Sequence, residues 1–430
     1  MKVAVLGLWH LGTVTAACVA GAGFSTIGVD DDPQVVAKLN AGEPPLYEPG
    51  LAELVRQGLA SGRLSFTADP TKLSDADIVW ICHDTPVDDG DRADVEAVVG
   101  RVEATFPDLK DGAIVLVSAQ LPVGTVARLE KSFEARAGGR RLDFACSPEN
   151  LRLGRALEIF RNPGRIVVGI RNRRTRDRLS PLLERFCQNL IWMNVESAEM
   201  VKHSLNAFLA LSITFTNELA SIAERVGANA SDVEQALRSD PRIGPNAYVK
   251  AGPAFAGGTL ARDVQFLSAI AEHEKLQTPL IDNIIASNRA HGRWSINQLR
   301  RRLGPLRGKT IAVLGLSYKP GTDAIRRSSS IELLRELQAD GAMVRVYDPA
   351  VRKLPDTSCA GVTIADDARD ALAGALAVVL ATEWPQFREL SAADFTHAME
   401  GRLVLDPASF LPPSIGEDPA LTVLSIGRYA

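Results

Sequence analysis

The chain opens on a short aliphatic run, Lys2–Leu6, and then turns to small residues over Gly12–Ala22, a composition suited to a tightly packed helix. A second run, Ser25–Val29, stops at Asp30. Further apolar runs at Ile78–Cys82, Ala113–Ser118 and Arg165–Gly169 are separated by helical or loop-like stretches. Runs of this kind, spaced by helices, predict buried strands of a parallel sheet, because parallel neighbours require crossover connections. The pattern recurs toward the other end. Thr310–Leu314 is followed by a helix over Ile331–Gly341 and by Met343–Tyr347 ending at Asp348, and Ala377–Ala381 and Arg402–Asp406 continue the sheet. The expected fold class is α/β, with two Rossmann-like, doubly wound parallel-sheet domains.

Between them lies Ser197–Ala228, which has no proline and no glycine before Gly227. Apolar residues recur there at helical spacing, over a stretch far longer than the typical helix of about 11–12 residues. A long central helix with a helical dimerisation segment is therefore predicted. Its apolar stripe must be covered, either by a partner subunit, which would make a homodimer, or by the two domains of the same chain; the pattern does not choose. The expected domains are 1–196, 197–300 and 301–430.

Composition narrows the partners. A length of 430 residues exceeds what one core supports, and a formal net charge of −4 offers no basic field for nucleic acid or a membrane surface. The five cysteines are scattered and odd in number, which points to a reducing compartment. No leader pattern precedes the first strand, and no apolar run reaches the ~20 residues of a membrane span. The cytoplasm is the expected location. The histidines are dispersed and no metal-ligand spacing appears, so no metal site is expected.

The first strand leads into Gly7-Leu8-Trp9-His10-Leu11-Gly12. A dinucleotide turn reads G-x-G-x-x-G with an acidic residue about 20 positions on. Here the first and third glycines are present, Trp9 replaces the second, and Asp30 ends strand two. A carboxylate there takes ribose hydroxyls and disfavours a 2′-phosphate, so NAD is expected over NADP. The indole either points outward or obstructs the pyrophosphate.

Further segments, in order, are LYEPGL (46–51), DTP (84–86), LPVGT (121–125), SPENLRLGRA (147–156), EMVKHSLNAFLA (199–210), NELA (217–220), RIG (242–244), GPAFAGGTLARD (252–263), LGLSYKPGTDAIRRSSS (314–330) and TEWPQF (382–387). On these the chain resembles the UDP-glucose/GDP-mannose dehydrogenase family over nearly its whole length. The resemblance implies an NAD-dependent oxidoreductase acting on the C6 hydroxyl of a nucleotide-sugar. It implies cofactor contacts from Gly7, Trp9, His10, Leu11, Asp30, Thr85, Pro86 and Gln120. Lys202 and Asn206, one helical turn apart, match the pair that positions the sugar and stabilises a developing oxyanion. Glu149 matches an acid/base glutamate and Asp263 an aspartate that helps activate water, although either carboxylate could simply cap a helix. Substrate contacts are further implied for Leu151, Arg152, Arg242, Tyr248, Phe255, Gly257, Lys319 and Arg326, with Arg242 reaching the partner subunit's substrate.

The sequence departs from the family pattern where the chemistry is heaviest. Against G-F-G-G-S-C-F-P-K-D it reads Ala254 to Asp263 with Thr259 at the cysteine position. A thiol is partly ionised near neutrality, whereas a threonine hydroxyl needs an adjacent base. Ala119-Gln120-Leu121-Pro122 replaces S-T-V-P, and Arg326-Arg327 interrupts an acidic run. Three functions are compatible with this set: oxidation that halts at the aldehyde, a redox-neutral NAD-dependent epimerisation, and non-catalytic nucleotide-sugar binding.

Overall fold

The computed structural model describes residues 1–88, 93–149, 151–256, 258–325, 328–354 and 361–428. The described chain forms two compact units, Met1–Leu205 and Asn206–Ala430.

The first unit holds eight strands: β1 Lys2–Leu6, β2 Ser25–Val29, β3 Leu64–Thr67, β4 Ile78–Ile81, β5 Ile114–Val117, β6 Asp143–Cys146, β7 Ile166–Ile170 and β8 Leu190–Met193. Their order is β3-β2-β1-β4-β5-β6-β7-β8. Successive side chains enter opposite cores, as strand geometry requires. Val3 and Val5 join one cluster and Ala4 and Leu6 the other, and β4 divides the same way, Ile78 and Trp80 from Val79 and Ile81. Both faces are covered, which is why these strands read as unbroken apolar runs. The parallel sheet is as expected, with one departure: β7 pairs antiparallel with β6, and β8 follows β7. The chain enters β7 from the end of β6 at which the site lies, without the crossover that would have kept the direction.

The second unit holds β9 Thr310–Leu314, β10 Met343–Tyr347, β11 Val362–Ile364, β12 Ala377–Leu380, β13 Leu403–Leu405 and β14 Thr422–Leu424, in the order β11-β10-β9-β12-β13-β14. Every pairing is parallel. This is the doubly wound order, with its reversal beside the first strand. Ile311 and Val313 face one core and Ala312 and Leu314 the other.

The long helix runs Val195–Val226, beginning in the first unit and continuing into the second. By length and composition it is apolar enough to cross a membrane, contrary to the expectation that no such run exists. Its buried residues include Glu199, His203, Asn206 and Asn217, polar groups that hydrogen-bond inside the protein. One face of it is therefore packed inside the folded chain. The opposite face is exposed and carries Phe208, Phe215 and Ile222 at intervals of seven residues.

Candidate active site

In the first unit, β1 and the helix His10–Gly21 are joined by a turn that only glycine can close. Gly7 has φ +84°, and a Cβ there would lie 2.8 Å from the His83 Cα. A Cβ on Gly12 would lie 1.7 Å from the Gly7 carbonyl oxygen, so the helix start and the strand end touch through backbone alone. The Thr13 hydroxyl donates to the Leu8 carbonyl at 2.7 Å and locks the turn from below. Trp9 is the N-cap residue of this helix and supplies no side-chain cap, and the residue is 46% exposed. Trp9 is thus not buried within the turn. First-turn amides without a side-chain cap are the donors that a pyrophosphate uses.

Asp30, half-buried at the end of β2, accepts the Leu8 amide at 2.6 Å and the Asp32 amide at 3.0 Å. It holds the turn and retains acceptor capacity, since each carboxylate oxygen can accept more than one bond. His83 lies buried against Gly7, where burial and then the Arg101 charge push its imidazole down to about 4. It is therefore neutral at physiological pH. Thr85 is buried and donates to the Gln120 carbonyl at 2.7 Å, tying the loop after β4 to the loop after β5; Pro86 beside it is exposed. These residues fit an adenine dinucleotide, with the turn and helix start for its phosphates and Asp30 for its ribose.

Glu149 stands just beyond β6. Its side chain accepts the Leu151 amide at 2.5 Å, and its own carbonyl accepts Lys202 Nζ at 2.7 Å. The Lys202 Nζ is 3.6 Å from the Glu149 carboxylate, and the lysine side chain is only 11% exposed. A cation and a carboxylate are thus held side by side at a strand end. Two cavities flank them. One, of about 100 Å3, is lined by Leu11, Leu151 and the rings of Trp80, Phe160 and Phe186. The other, about 20 Å3, is walled by Gln120, Glu149, Lys202 and Glu199. The Trp80 indole donates to Ser118 Oγ at 2.8 Å, and Ser118 in turn to the Ser147 carbonyl, so the ends of β4, β5 and β6 are fixed together. Arg152 is exposed.

In the second unit, Asn206 follows Lys202 by one helical turn. Its Nδ2 makes a short hydrogen bond to Asp263 Oδ2, and Asp263 is fully buried. Asp263 therefore does not act as a helix cap; it lies inside the helix Thr259–His273, pointing inward. Thr259 is the first residue of that helix and is exposed. Among the described residues no histidine, lysine or carboxylate hydrogen-bonds its hydroxyl. The four described cysteines all lie in the first unit. Burial pushes the Cys18 thiol up to about 12 and raises Cys82 and Cys146 as well, so these three stay protonated near neutrality.

Phe255 is partly buried, and its backbone exchanges hydrogen bonds with the Asn288 amide at 3.0 and 2.9 Å. Tyr248 is 57% exposed. Arg242 is exposed and paired with Asp240 at 2.7 Å. Lys319 lies with Nζ 5.5 Å from the centre of the Tyr318 ring. Gly257 and Arg326 lie outside the described residues.

The second turn resembles the first only in outline. Gly315 has φ +97°, and a Cβ there would meet the Thr382 amide nitrogen at 2.6 Å. Asp348 matches Asp30 in sequence position, yet it is 1% exposed and fully engaged. Its Oδ2 accepts Leu316 N at 2.7 Å, Ser317 N at 3.0 Å and the Trp384 indole at 3.0 Å; its Oδ1 accepts Ala350 N at 2.8 Å and Val351 N at 3.0 Å. It is a structural carboxylate with nothing left for a ribose.

Two residues in the quoted segments have a part that sequence reading did not assign. Glu48 is 4% exposed, accepts Gly154 N at 2.8 Å and Ala156 N at 2.7 Å, and meets His10 Nε2 at 3.1 Å. It links the first turn to the segment after Glu149. Glu199 accepts Gly124 N at 2.7 Å and Val126 N at 2.9 Å, capping the helix Thr125–Glu134, and burial raises its carboxyl above the usual range. A carboxylate in an otherwise apolar helix stripe is the signal that could have found it.

Residues 1–187 match the NAD binding domain of the UDP-glucose/GDP-mannose dehydrogenase family, 196–290 its central domain and 312–413 its UDP binding domain. The chain is 33% identical to a UDP-glucose 6-dehydrogenase of Pseudomonas aeruginosa, covering 100% of this chain and 98% of the relative. It is 35% identical to a UDP-glucose 6-dehydrogenase of Haloferax volcanii over 94% of this chain and 96% of the relative. Among solved structures, a UDP-glucose dehydrogenase from Pyrobaculum islandicum superposes with a TM-score of 0.86 at 32% identity, covering 100% of this chain and 98% of that one.

Proposed function

Because the chain belongs to the UDP-glucose/GDP-mannose dehydrogenase family, we propose that it oxidises the C6 hydroxyl of a nucleotide-linked hexose with NAD and releases the aldehyde. The observation that carries this is the pairing of Lys202 with Glu149 in a chain whose Thr259 hydroxyl has no base hydrogen-bonded to it among the described residues. Segment 1–196 takes NAD, 301–430 the nucleotide, and 197–300 the subunit contact.

When bound, NAD accepts the hydride from C6. The residues of this chain do the rest. The Lys202 ammonium stabilises the alkoxide oxygen as the hydroxyl proton leaves, and Glu149, 3.6 Å from it, accepts that proton. One C–H bond and one O–H bond break and a C=O bond forms, which yields aldehyde, one reduced cofactor and one proton. Asn206, held by Asp263, presents its amide to the sugar. A second oxidation by the family's thioester route requires a nucleophile that forms a covalent adduct with the aldehyde. An exposed threonine hydroxyl without a base forms no such adduct at a useful rate. Leu151, Arg152, Arg242, Tyr248, Phe255, Gly257, Lys319 and Arg326 complete the proposed nucleotide-sugar contacts. Cytoplasmic residence is part of the same reading, resting on the scattered cysteines.

Incubation of the purified protein with NAD and a panel of UDP- and GDP-hexoses, UDP-glucose first, tests this. The expected result is one NADH per sugar, with an aldehyde trapped by hydrazine. Uronate with two NADH per sugar overturns the arrest at aldehyde, and absence of NADH with every sugar overturns oxidation.

A further inference from the structure

We propose that the second unit carries an anion-binding pocket, apart from the residues assigned above, that takes a doubly charged phosphate group. The cavity measures about 220 Å3 and lies among Glu224, Arg225, Trp294, Arg301, Arg302 and Arg428. Its four guanidinium groups come from three segments: the last turn of the long helix, the last turn of the helix Trp294–Leu303, and the chain beyond β14.

Glu224, the single carboxylate among the described lining residues, does not neutralise them. Glu224 Oε1 accepts the Trp294 indole at 2.8 Å and Gly427 N at 3.0 Å, and Oε2 accepts Gln298 Nε2 at 3.0 Å. Gln298 in turn accepts Arg301 at 2.7 Å, which orients that guanidinium from behind. Among the described residues none of Arg225, Arg301, Arg302 and Arg428 forms an ion pair. Among the described lining residues four positive charges less one negative leave +3; the buried Asp406, outside the lining, also feels the Arg428 charge. The two helix C-termini contribute roughly −0.5 each, so the remainder is about +2. A phosphate monoester or pyrophosphate supplies that counter-charge, and forked guanidinium donors match its oxygens.

Arginines in a last helical turn also stabilise the helix dipole, and this accounts in part for Arg225, Arg301 and Arg302. It does not account for Arg428, which no helix carries, nor for a walled cavity at the meeting point. Those walls are fixed. Gly427 has φ +76°, and a Cβ on it would lie 2.5 Å from the Ala230 Cβ and 3.2 Å from the Ala220 Cβ. Its carbonyl accepts Ala230 N at 2.9 Å. The terminal segment is thereby pressed against the end of the long helix, where only glycine fits, and Arg428 is delivered to the rim.

Isothermal titration of the full-length protein at physiological salt with pyrophosphate, inorganic phosphate, glucose 1-phosphate and AMP tests the assignment. Saturable binding of at least one of these is expected, weakened at least tenfold in Arg302→Gln/Arg428→Gln, with the melting temperature unchanged. Preference for pyrophosphate over AMP identifies a free phosphate ligand, and the reverse a nucleotide; both support the pocket. Single Arg302→Gln, at an exposed site, serves if the double variant is unstable. No saturable binding, or binding unaltered in both variants, overturns the proposal.

Discussion

Thr259 and Cys share a size, and the difference between them lies in one ionisation. At the first turn of the helix Thr259–His273 a thiol would feel unpaired amide donors and the positive end of the dipole, which lower a cysteine below its ordinary value of about 8.5. Thr259→Cys should therefore raise the yield from one NADH per sugar to two, with a thiol alkylated faster than a free cysteine at pH 7. A stoichiometry that stays at one would show that Gln120 or another altered residue, and not the missing thiol, limits the reaction. His83 makes a second residue-scale test. Its folded pKa lies below the unfolded value, so it contributes stability above about pH 6.5 that is lost as pH falls toward 4. Between pH 7.5 and 5 the unfolded chain gains this proton and the fold does not, a loss of about 2 kcal/mol at ~1.4 kcal/mol per unit. Denaturant titrations of His83→Asn at the two pH values should show that much less pH dependence than the parent. Lys202, Asn206, Glu149 and Asp263 could be named from motif matches alone. The Lys202–Glu149 contact could not, because it joins residues 53 apart and depends on where β6 ends. Glu48 escaped for the same reason: it acts on backbone amides more than 100 residues away.

The two βα turns show how one element can be reused with its parts reassigned. Both end a second strand in aspartate, and from sequence the two appear equivalent. The difference is Trp384, whose indole reaches Asp348 and seals it, with Thr382 packed on Gly315; Asp30 has no such cover among the described residues. Asp348→Ala would leave four backbone amides without their acceptor, the Trp384 indole keeping Ser317 Oγ at 3.1 Å, and should cost roughly 4 kcal/mol or more at ~1 kcal/mol per buried donor. Asp30→Ala, at a half-open site where water can replace the carboxylate, should cost less than half of that and weaken NAD at least tenfold. Chemical denaturation with fluorescence titration of NADH separates the two effects; equal stability losses would contradict the assignment of Asp348 as structural. Strand legibility followed the same physics. β1, β4, β5, β9 and β12 are buried on both faces and announce themselves as aliphatic runs. β8 and β11 are edge strands with partly exposed residues, and β3 and β14 have only four and three residues. β6, Asp-Phe-Ala-Cys, lacks any β-branched residue, so nothing in its composition marks a central strand. The reversed direction of β7 is set by the chain's route, which composition does not encode.

At the scale of the molecule, the long helix poses the remaining question of what covers Phe208, Phe215 and Ile222. These are 64%, 51% and 57% exposed and repeat every seven residues, the spacing at which one helix meets another along a seam. A second copy of the chain is self-complementary to such a stripe about a two-fold axis, each residue meeting its symmetry equivalents. Burying what remains exposed of three apolar side chains per protomer, at roughly 1 kcal/mol each, contributes about 6 kcal/mol, against an association cost of about 4–15 kcal/mol. The balance is close enough for one charge at the centre to decide it. Phe215→Glu loses two buried rings and places two like carboxylates near the axis, so it should dissociate the dimer at micromolar concentration. Sedimentation would then report the 46.2 kDa monomer in place of twice that mass. Far-UV circular dichroism should remain at the parental value, since Phe215 lies on the face that the protomer itself leaves open. A parent protein that sediments as a monomer at the same concentration would remove the dimer from the proposed function, and with it any role for Arg242 across a subunit boundary.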